Sequence, residues 1–358
     1  MDIPVRIAQI RTGLDGRESY HGLFRQILAT RSMSDVIEWV PGKVVQDVLF
    51  GRHEHLFLAQ GAHRVLDRVT GVTPIRDEAY RIFSDNIRKR RAFCDQLNVR
   101  YLHAIFPDKQ TILSEEFPFE TASSMSRMFE REIGSVDDSV LYIHNSLSDC
   151  PGIFKRADTH LTDKGTIIAT SYLVESLLGH AIGQITSELL AEIKMKKDWS
   201  GDLGGKLDPI ISFEEEWYLE KTKINWFHNS IGGANNGIVD LYFSPEPKFA
   251  KRVLFFGDSF GRDVCRFLSK VFEEVVFLRT PYFHDEMVSM IKPDIVITEN
   301  VERYLHESQS DDVRESFFMY PHLKDAEYRP GAKFAEAFSA VLSFPRAPYQ
   351  NFIRGLRG

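Results

Sequence analysis

Two short segments of the chain hold the residue types that turn a hydroxyl into a nucleophile. In Arg252-Val-Leu-Phe-Phe-Gly257-Asp258-Ser259-Phe260-Gly261-Arg262 a serine stands where an apolar strand hands over to a helix. A helix start offers backbone N–H groups without intrahelical partners and the positive end of the peptide dipoles, both suited to the oxyanion formed when a serine attacks an acyl carbonyl. Gly257, a candidate at the oxyanion side, permits a tight turn and close approach of a substrate. The plainer reading of the same triplet is that Asp258 or Ser259 only caps the helix. Some hundred residues upstream, Ala157-Asp158-Thr159-His160-Leu161-Thr162 puts a carboxylate and an imidazole two residues apart in one loop. There Asp158 can fix the tautomer of His160 and stabilise its charged form while the other ring nitrogen takes the serine proton. A lone D-x-H is weak, since many such triplets are surface loop; its combination with Gly-Asp-Ser carries the weight.

Both segments need a scaffold. From Pro74 onward short apolar stretches alternate with helical patterns: a charged helix from about Asp77 to Leu97, the strand VRYLHAIF, a helix from about Thr121 to Ile133, the strand SVLYIH, and a helix from Thr162 to Leu178 capped by Thr162. The rhythm breaks over residues 198–247, which hold Gly-rich turns, the acidic run Glu214 to Glu216 and the aromatics Trp217, Tyr218, Trp226 and Phe227; these read as a β-rich insertion whose rings fill its core or stack on sugars. The rhythm returns with RVLFF, a helix from about Arg262, EVVFL, a helix near His284 to Met290, and DIVIT. Apolar strands alternating with helices predict a parallel sheet covered on both faces, a three-layer α/β/α fold. The expected organisation is an N-terminal extension (1–74) with an amphipathic stretch from Tyr20 to Leu28, a core in two parts (75–197 and 248–322) around the insertion, and an irregular, surface-wrapping tail (323–358).

The order and spacing of these motifs resemble the alginate O-acetyltransferase J/X family of SGNH hydrolase-like proteins. DTHLT followed by Gly165 and, much later, GDSF at a strand-to-helix turn carry the resemblance, and GRHEHLFL, FPDKQTIL and IVITENVERYL add to it, so that it spans roughly residues 45 to 310. In that family the D-x-H precedes the serine, as here. The resemblance implies a flavodoxin-like SGNH core, Ser259 as nucleophile, His160 as base, Asp158 as orienting acid and no cofactor. It also implies acetyl transfer to a polysaccharide or glycoconjugate from a donor, with a membrane-bound acyltransferase as the supplying partner, in the cell envelope. Leu161 departs from the tryptophan that often follows the histidine. Hydrolysis of a carbohydrate O-acetyl ester, and a non-catalytic carbohydrate-binding or assembly module, are the alternatives.

A rival pattern exists. Gly257 to Gly261 also satisfies GxSxG, which would place the acid at Asp294 or Glu299 and the histidine at His306 or His322, in a stretch of chain too short for the remaining strands of that fold. Asn145, after strand LYIH, is an oxyanion candidate or an Asx turn; Arg303, beside Glu302, is an acceptor-pocket candidate or a structural ion pair. His53 and His55 lack a third ligand, so no metal site is expected. No Walker A, GxGxxG or HExxH pattern is present. A net charge of -7 disfavours a nucleic-acid partner, which demands concentrated Lys and Arg. Cys94, Cys150 and Cys265 have no paired spacing and read as free thiols. The sequence as written shows neither a leader nor a membrane-spanning apolar run, so composition by itself expects a cytoplasmic chain.

Overall fold

A computed structural model describes residues 38–61, 63–121, 138–148, 150–221, 223–232, 235–342 and 347–357. The amphipathic stretch at Tyr20 to Leu28 and, beyond Thr121, the helix expected to Ile133 lie outside the described residues. Strands β1 (Val44–Val45), β2 (Val48–Phe50) and β3 (Leu56–Leu58) form a small antiparallel sheet ahead of the core. Helix α1 (Asp77–Gln96) leads into β4 (Arg100–Phe106) and β5 (Val140–Tyr142). Helix α2 (Asp163–Leu178) begins at Thr162, whose hydroxyl accepts the Gly165 N–H, and stops at Gly179 in the left-handed region. After α3 (Gly183–Leu190) come β6 (Ile193–Trp199) and β7 (Phe213–Tyr218), a separate antiparallel pair, then β8 (Asn225–His228) and β9 (Val239–Phe243). The second half of the core is β10 (Phe249–Gly257), α4 (Ser259–Leu268), β11 (Phe272–Arg279), α5 (Asp285–Ile291) and β12 (Ile295–Val301).

The main sheet has seven strands in the order β5-β4-β12-β10-β11-β9-β8. The first five are parallel, whereas β9 pairs antiparallel with β11 and β8 antiparallel with β9. The insertion therefore does two things: β6 and β7 stand apart, and β8 and β9 extend the core sheet. Alternate residues of each strand serve opposite faces, as a period of two requires. Leu254 and Phe256 of β10, with Tyr101, Val276 and Val296, bury against Phe83 and Ile87 of α1 and Met287 of α5. Val253 and Phe255, with Phe106, Val275 and Ile297, bury against Leu173 and Val174 of α2 and Val264 and Leu268 of α4. Burial on both faces explains why these strands read as continuous apolar runs.

The tail is not irregular. Residues Ala332–Leu342 form α6 and Ala347–Arg357 form α7, and Phe334, Ala337, Val341 and Ile353 join the core beside α1 and α5. Phe227 of β8 meets Phe352 of α7 at 5.8 Å between ring centres. The apolar residues of the tail are thus the cover for a sheet edge that the insertion created. Among the described residues, no helix is long and apolar enough to cross a membrane.

One buried ion pair fixes the register of the two central strands. Arg252 of β10 lies opposite Glu274 of β11, and its guanidinium donates to Glu274 Oε2 at 2.6 Å and to the Ile291 carbonyl at 2.7 Å. Both side chains are buried. Removing one charge from such a pair costs about 3–5 kcal/mol because the other stays in a low-dielectric interior, while replacing both with apolar groups is close to neutral. Arg252→Leu is therefore expected to lower the urea midpoint by an amount equivalent to about 3–5 kcal/mol, and Arg252→Leu with Glu274→Leu to recover most of it. Equal destabilisation by the single and double variants would contradict this account.

Candidate active site

The candidate nucleophile turn, Gly257 to Gly261, is built on a buried carboxyl. Asp258 caps α4: its Oδ1 accepts the Phe260 N–H at 2.8 Å and its Oδ2 accepts the Val301 N–H at 3.1 Å, tying β10 to β12. Under the turn, Glu299 Oε2 accepts the Asp258 N–H at 3.0 Å and the Gly261 N–H at 3.2 Å. A Cβ on Gly257 would come within 2.4 Å of Glu299 Oε2, and one on Gly261 within 2.4 Å of the Phe255 ring. The glycines are thus required by what lies beneath them as much as by the bend. Burial, and then the charge of Asp258, push the Glu299 carboxyl well above the ordinary carboxylate range. Among the described residues its Oε1 has no hydrogen-bond partner.

These bonds also decide which donors remain. Of the N–H groups that open α4, those of Phe260 and Gly261 already donate to carboxyl oxygens, whereas among the described residues the Ser259 N–H donates to none. The helix start therefore offers an oxyanion one donor, the N–H of Ser259 itself.

The D-x-H loop is a tight excursion between β5 and α2. Phe154 and Leu161 pair across it, the Lys155 N–H donates to the His160 carbonyl, and the Thr162 N–H donates to the Ile153 carbonyl. It brings His160 Nε2 to 2.8 Å from Ser259 Oγ. On the ring's other side Nδ1 lies 2.7 Å from Asp158 Oδ1, which also accepts the His160 backbone N–H at 2.9 Å. Asp158 is almost fully buried. Burial opposes its charge, but the hydrogen bond and charge of His160, Lys155 and the indole N–H of Trp199 win, and its carboxyl stays far below the ordinary range. Burial likewise opposes a charged His160, yet Asp158, through its hydrogen bond and charge, and Asp202 raise the imidazole above its usual 6.5. The Phe260 ring, 5.1 Å away between centres, shields one face of the imidazole.

A buried lysine holds the loop from below. Lys109 Nζ donates to the carbonyls of Leu56, Lys155, Arg156 and Asp158 at 2.9, 2.6, 2.9 and 3.2 Å. It joins β3, the D-x-H loop and the end of β4 at one cation, and burial pulls its pKa down to about 7. The segment FPDKQTIL marks this lysine in the sequence, but nothing there tells that its partners are four carbonyls.

Of the other candidates, Arg303 borders the turn, its guanidinium 5.6 Å from the centre of the Phe260 ring, whereas Asn145 falls elsewhere. Asn145 is exposed in a helical turn after β5, at the sheet edge three ladder steps from β10, and no hydrogen bond joins it to Ser259. Arg303 is buried against Asp108, not paired with Glu302, whose Oε1 accepts the Asp108 N–H and the Thr111 hydroxyl. The rival histidines are also remote: His306 bonds to Glu307, His322 packs against Tyr328, and Asp294 holds Lys251 and the Arg252 N–H. His53 contacts Glu116 in the turn between β2 and β3. Among the described residues, two groups of side chains, Asp158 with His160 and Asp202, and His63 with His306 and Glu307, cluster closely enough to ligate a metal. In the first, both ring nitrogens already face Asp158 and Ser259.

Beside the nucleophile turn, at the C-terminal ends of β10, β11 and β12, lies a cavity of about 410 Å³ lined by Gly257, Arg279, Glu299, Asn300, Asn236 and Tyr304 among others. Strand ends are where open α/β sheets hold ligands.

Neither a protein-family model nor a curated protein matches the chain. Among solved structures, PatB1 of Bacillus cereus with a sulfonyl adduct superposes with a TM-score of 0.54 at 12% identity, covering 74% of this chain and 97% of that one. A DHHW family protein from Eubacterium siraeum gives 0.52 at 13% identity, covering 76% and 98%. The O-acetyltransferase domain of Pseudomonas putida AlgJ gives 0.47 at 16%, covering 78% and 99%. The likeness to the first two is one of fold, a central and mostly parallel sheet flanked by helices.

Replacing Lys109 with Met would leave the loop carbonyls without their shared donor, and each buried acceptor so stranded costs about 1–3 kcal/mol. Lys109→Met is expected to speed amide hydrogen exchange over 155–160 while β10 and β11 keep their protection. Unchanged exchange in the loop would show that the lysine does not hold it.

Proposed function

We propose that the protein is a serine-dependent O-acyltransferase, taking an acyl group, acetyl by resemblance, onto Ser259 and passing it to a hydroxyl of a polysaccharide or glycoconjugate. The observation that carries this reading is the unbroken chain from Asp158 through His160 to Ser259 Oγ. His160 Nε2 takes the Ser259 proton as Oγ attacks the donor's carbonyl carbon. The tetrahedral oxyanion meets the Ser259 N–H. Collapse expels the donor's leaving oxygen, which receives the proton from Nε2, and leaves an ester on Ser259. An acceptor hydroxyl, deprotonated by the same nitrogen, then attacks that ester and restores the free serine.

In this reading the acceptor enters from the cavity beside the turn, which Gly257 and Asp258 line together with Arg279 and Asn300, and which neither Ser259 nor His160 lines. Water in the same position makes the reaction a hydrolysis, so transfer and esterase activity differ only in what enters. The acyl donor, delivered by a membrane-bound acyltransferase partner in the cell envelope, is part of the proposal through the family resemblance.

Incubation with an activated acetyl ester, followed by intact mass measurement, is expected to show one acetyl group on the wild type and none on Ser259→Ala. Asp158→Asn should lower turnover by about 10⁴-fold, since the wrong tautomer is then favoured. Labelling by a serine-directed fluorophosphonate that persists in both Ser259→Ala and His160→Ala would move the reading to a non-catalytic carbohydrate module.

The pH dependence follows from the raised imidazole. A general base works only when neutral, so kcat/KM should climb with pH through a midpoint above 6.5, not at it. A rate that is flat through this range excludes a histidine base.

A further inference from the structure

The β6–β7 pair is where the sequence rhythm breaks, yet it touches the candidate site more closely than the small N-terminal sheet does. Trp199, the last residue of β6, donates its indole N–H to Asp158 Oδ2 at 2.7 Å. The loop then turns at Gly201, whose φ of +58° suits glycine and whose added Cβ would lie 2.5 Å from the Asp158 Cβ. Asp202 follows: its Oδ1 accepts the Thr159 N–H at 2.8 Å, its other oxygen accepts the Thr159 hydroxyl, and Oδ2 stands 3.7 Å from His160 Nδ1. The N–H groups of Leu203 and Gly204 donate to the Ala157 carbonyl, and Glu215 of β7 accepts the Arg156 N–H. The segment from Trp199 to Gly204 thus wraps the D-x-H loop, its Trp199, Asp202, Leu203 and Gly204 bonding to Ala157, Asp158 and Thr159.

We infer that Trp199 and Asp202 are positioning residues for the proposed reaction, Trp199 by holding the outer oxygen of Asp158 and Asp202 by setting a second negative charge beside His160. This rests on the reading of Ser259 and His160 given above. A carboxylate with one oxygen on an imidazole is free to rotate unless its second oxygen is also bonded; the indole N–H supplies that bond. Lys155 and Lys197 lie over the Trp199 ring at 5.8 and 5.2 Å, and the Trp217 ring meets it edge-on at 5.0 Å, so the indole itself is clamped.

The two residues act on the imidazole with opposite sign, which separates a positioning role from a merely structural one. The charged groups facing His160 are Asp158 on its own loop, Asp202 from the β6–β7 connection and Asp263 from α4, with Lys155 acting through Asp158. Trp199's N–H draws charge from Asp158; without it the carboxylate holds the imidazolium more tightly. Asp202's charge favours the imidazolium directly; without it the imidazolium is weakened.

The experiment is a pH profile of kcat/KM for an activated acetyl ester in full-length wild type, Trp199→Phe and Asp202→Asn, with Ser259→Ala as reference and the downfield Nδ1 proton of His160 followed by NMR as a readout independent of turnover. Phenylalanine keeps the ring between its lysines, and asparagine still accepts from the Thr159 N–H. Trp199→Phe is expected to lower kcat about 10-fold, short of the ~10⁴ for loss of the carboxylate, with KM little changed and the midpoint moved up. Asp202→Asn is expected to move the midpoint down by on the order of half a unit, as a partly exposed charge at that range should. Midpoints and Nδ1 titrations that stay at the wild-type value in both variants, or move the same way, overturn the inference while Ser259→Ala remains inactive. Activity persisting in Ser259→Ala overturns the underlying reading instead.

Discussion

The structure depends on one juxtaposition: an imidazole and a hydroxyl that are distant in sequence, held 2.8 Å apart in a partly buried site. A bond of that length tolerates little drift, because a displacement of even 1 Å breaks it and leaves an imidazole whose charge was tuned for a partner it no longer has. Neither loop can supply that accuracy alone. The nucleophile turn takes its position from β10, at the centre of the sheet, and the D-x-H loop takes its position from β3, the end of β4 and the β6–β7 pair. The site is thus a meeting of two independently braced segments.

The bracing is polar and buried, which sets its cost and its specificity. Glu299 beneath the turn and Lys109 beneath the loop are both removed from water, and each is matched to backbone groups: a carboxyl to two N–H donors, an ammonium to four carbonyls. Their pKa values move toward the neutral form in both cases, upward for the acid and down to about 7 for the amine, as burial demands. A buried polar group with several fixed partners permits one geometry where an apolar contact would permit several. That is the property a site of this kind needs at the ends of flexible turns.

The alternation of apolar strands and helices made the three-layer fold legible, and α2 begins at the Thr162 cap that its sequence announces. What stayed hidden was non-local. Trp199 and Asp202 sit in a Gly-rich stretch that looks like a connector, because the signal for a positioning role is a contact with Asp158 and Thr159 some forty residues away and leaves no local trace. Glu299 stands out in the sequence only as a candidate acid of the rival GxSxG pattern, and only the two glycines above it hint that something fills the space a Cβ would take. The tail misleads for a related reason. Its prolines and scattered aromatics look irregular until the extra strands β8 and β9 provide a surface for α6 and α7 to cover.

The insertion therefore has two halves with different work. Strands β8 and β9 complete the sheet and call for the C-terminal helices, while the β6–β7 connection reaches across to the D-x-H loop, Trp199 meeting the second oxygen of Asp158 and Asp202 lying beside His160. Asp240 of β9 adds a link between the first half and the nucleophile helix, since its fully buried carboxylate accepts from Arg262 at 2.6 Å and from the Trp226 indole at 2.9 Å. Arg262 lies one turn beyond Ser259. The added strands are thus joined to α4 by an ion pair and to Asp158 by an indole hydrogen bond, so the segment that interrupts the core in sequence is bound to the candidate site at both ends.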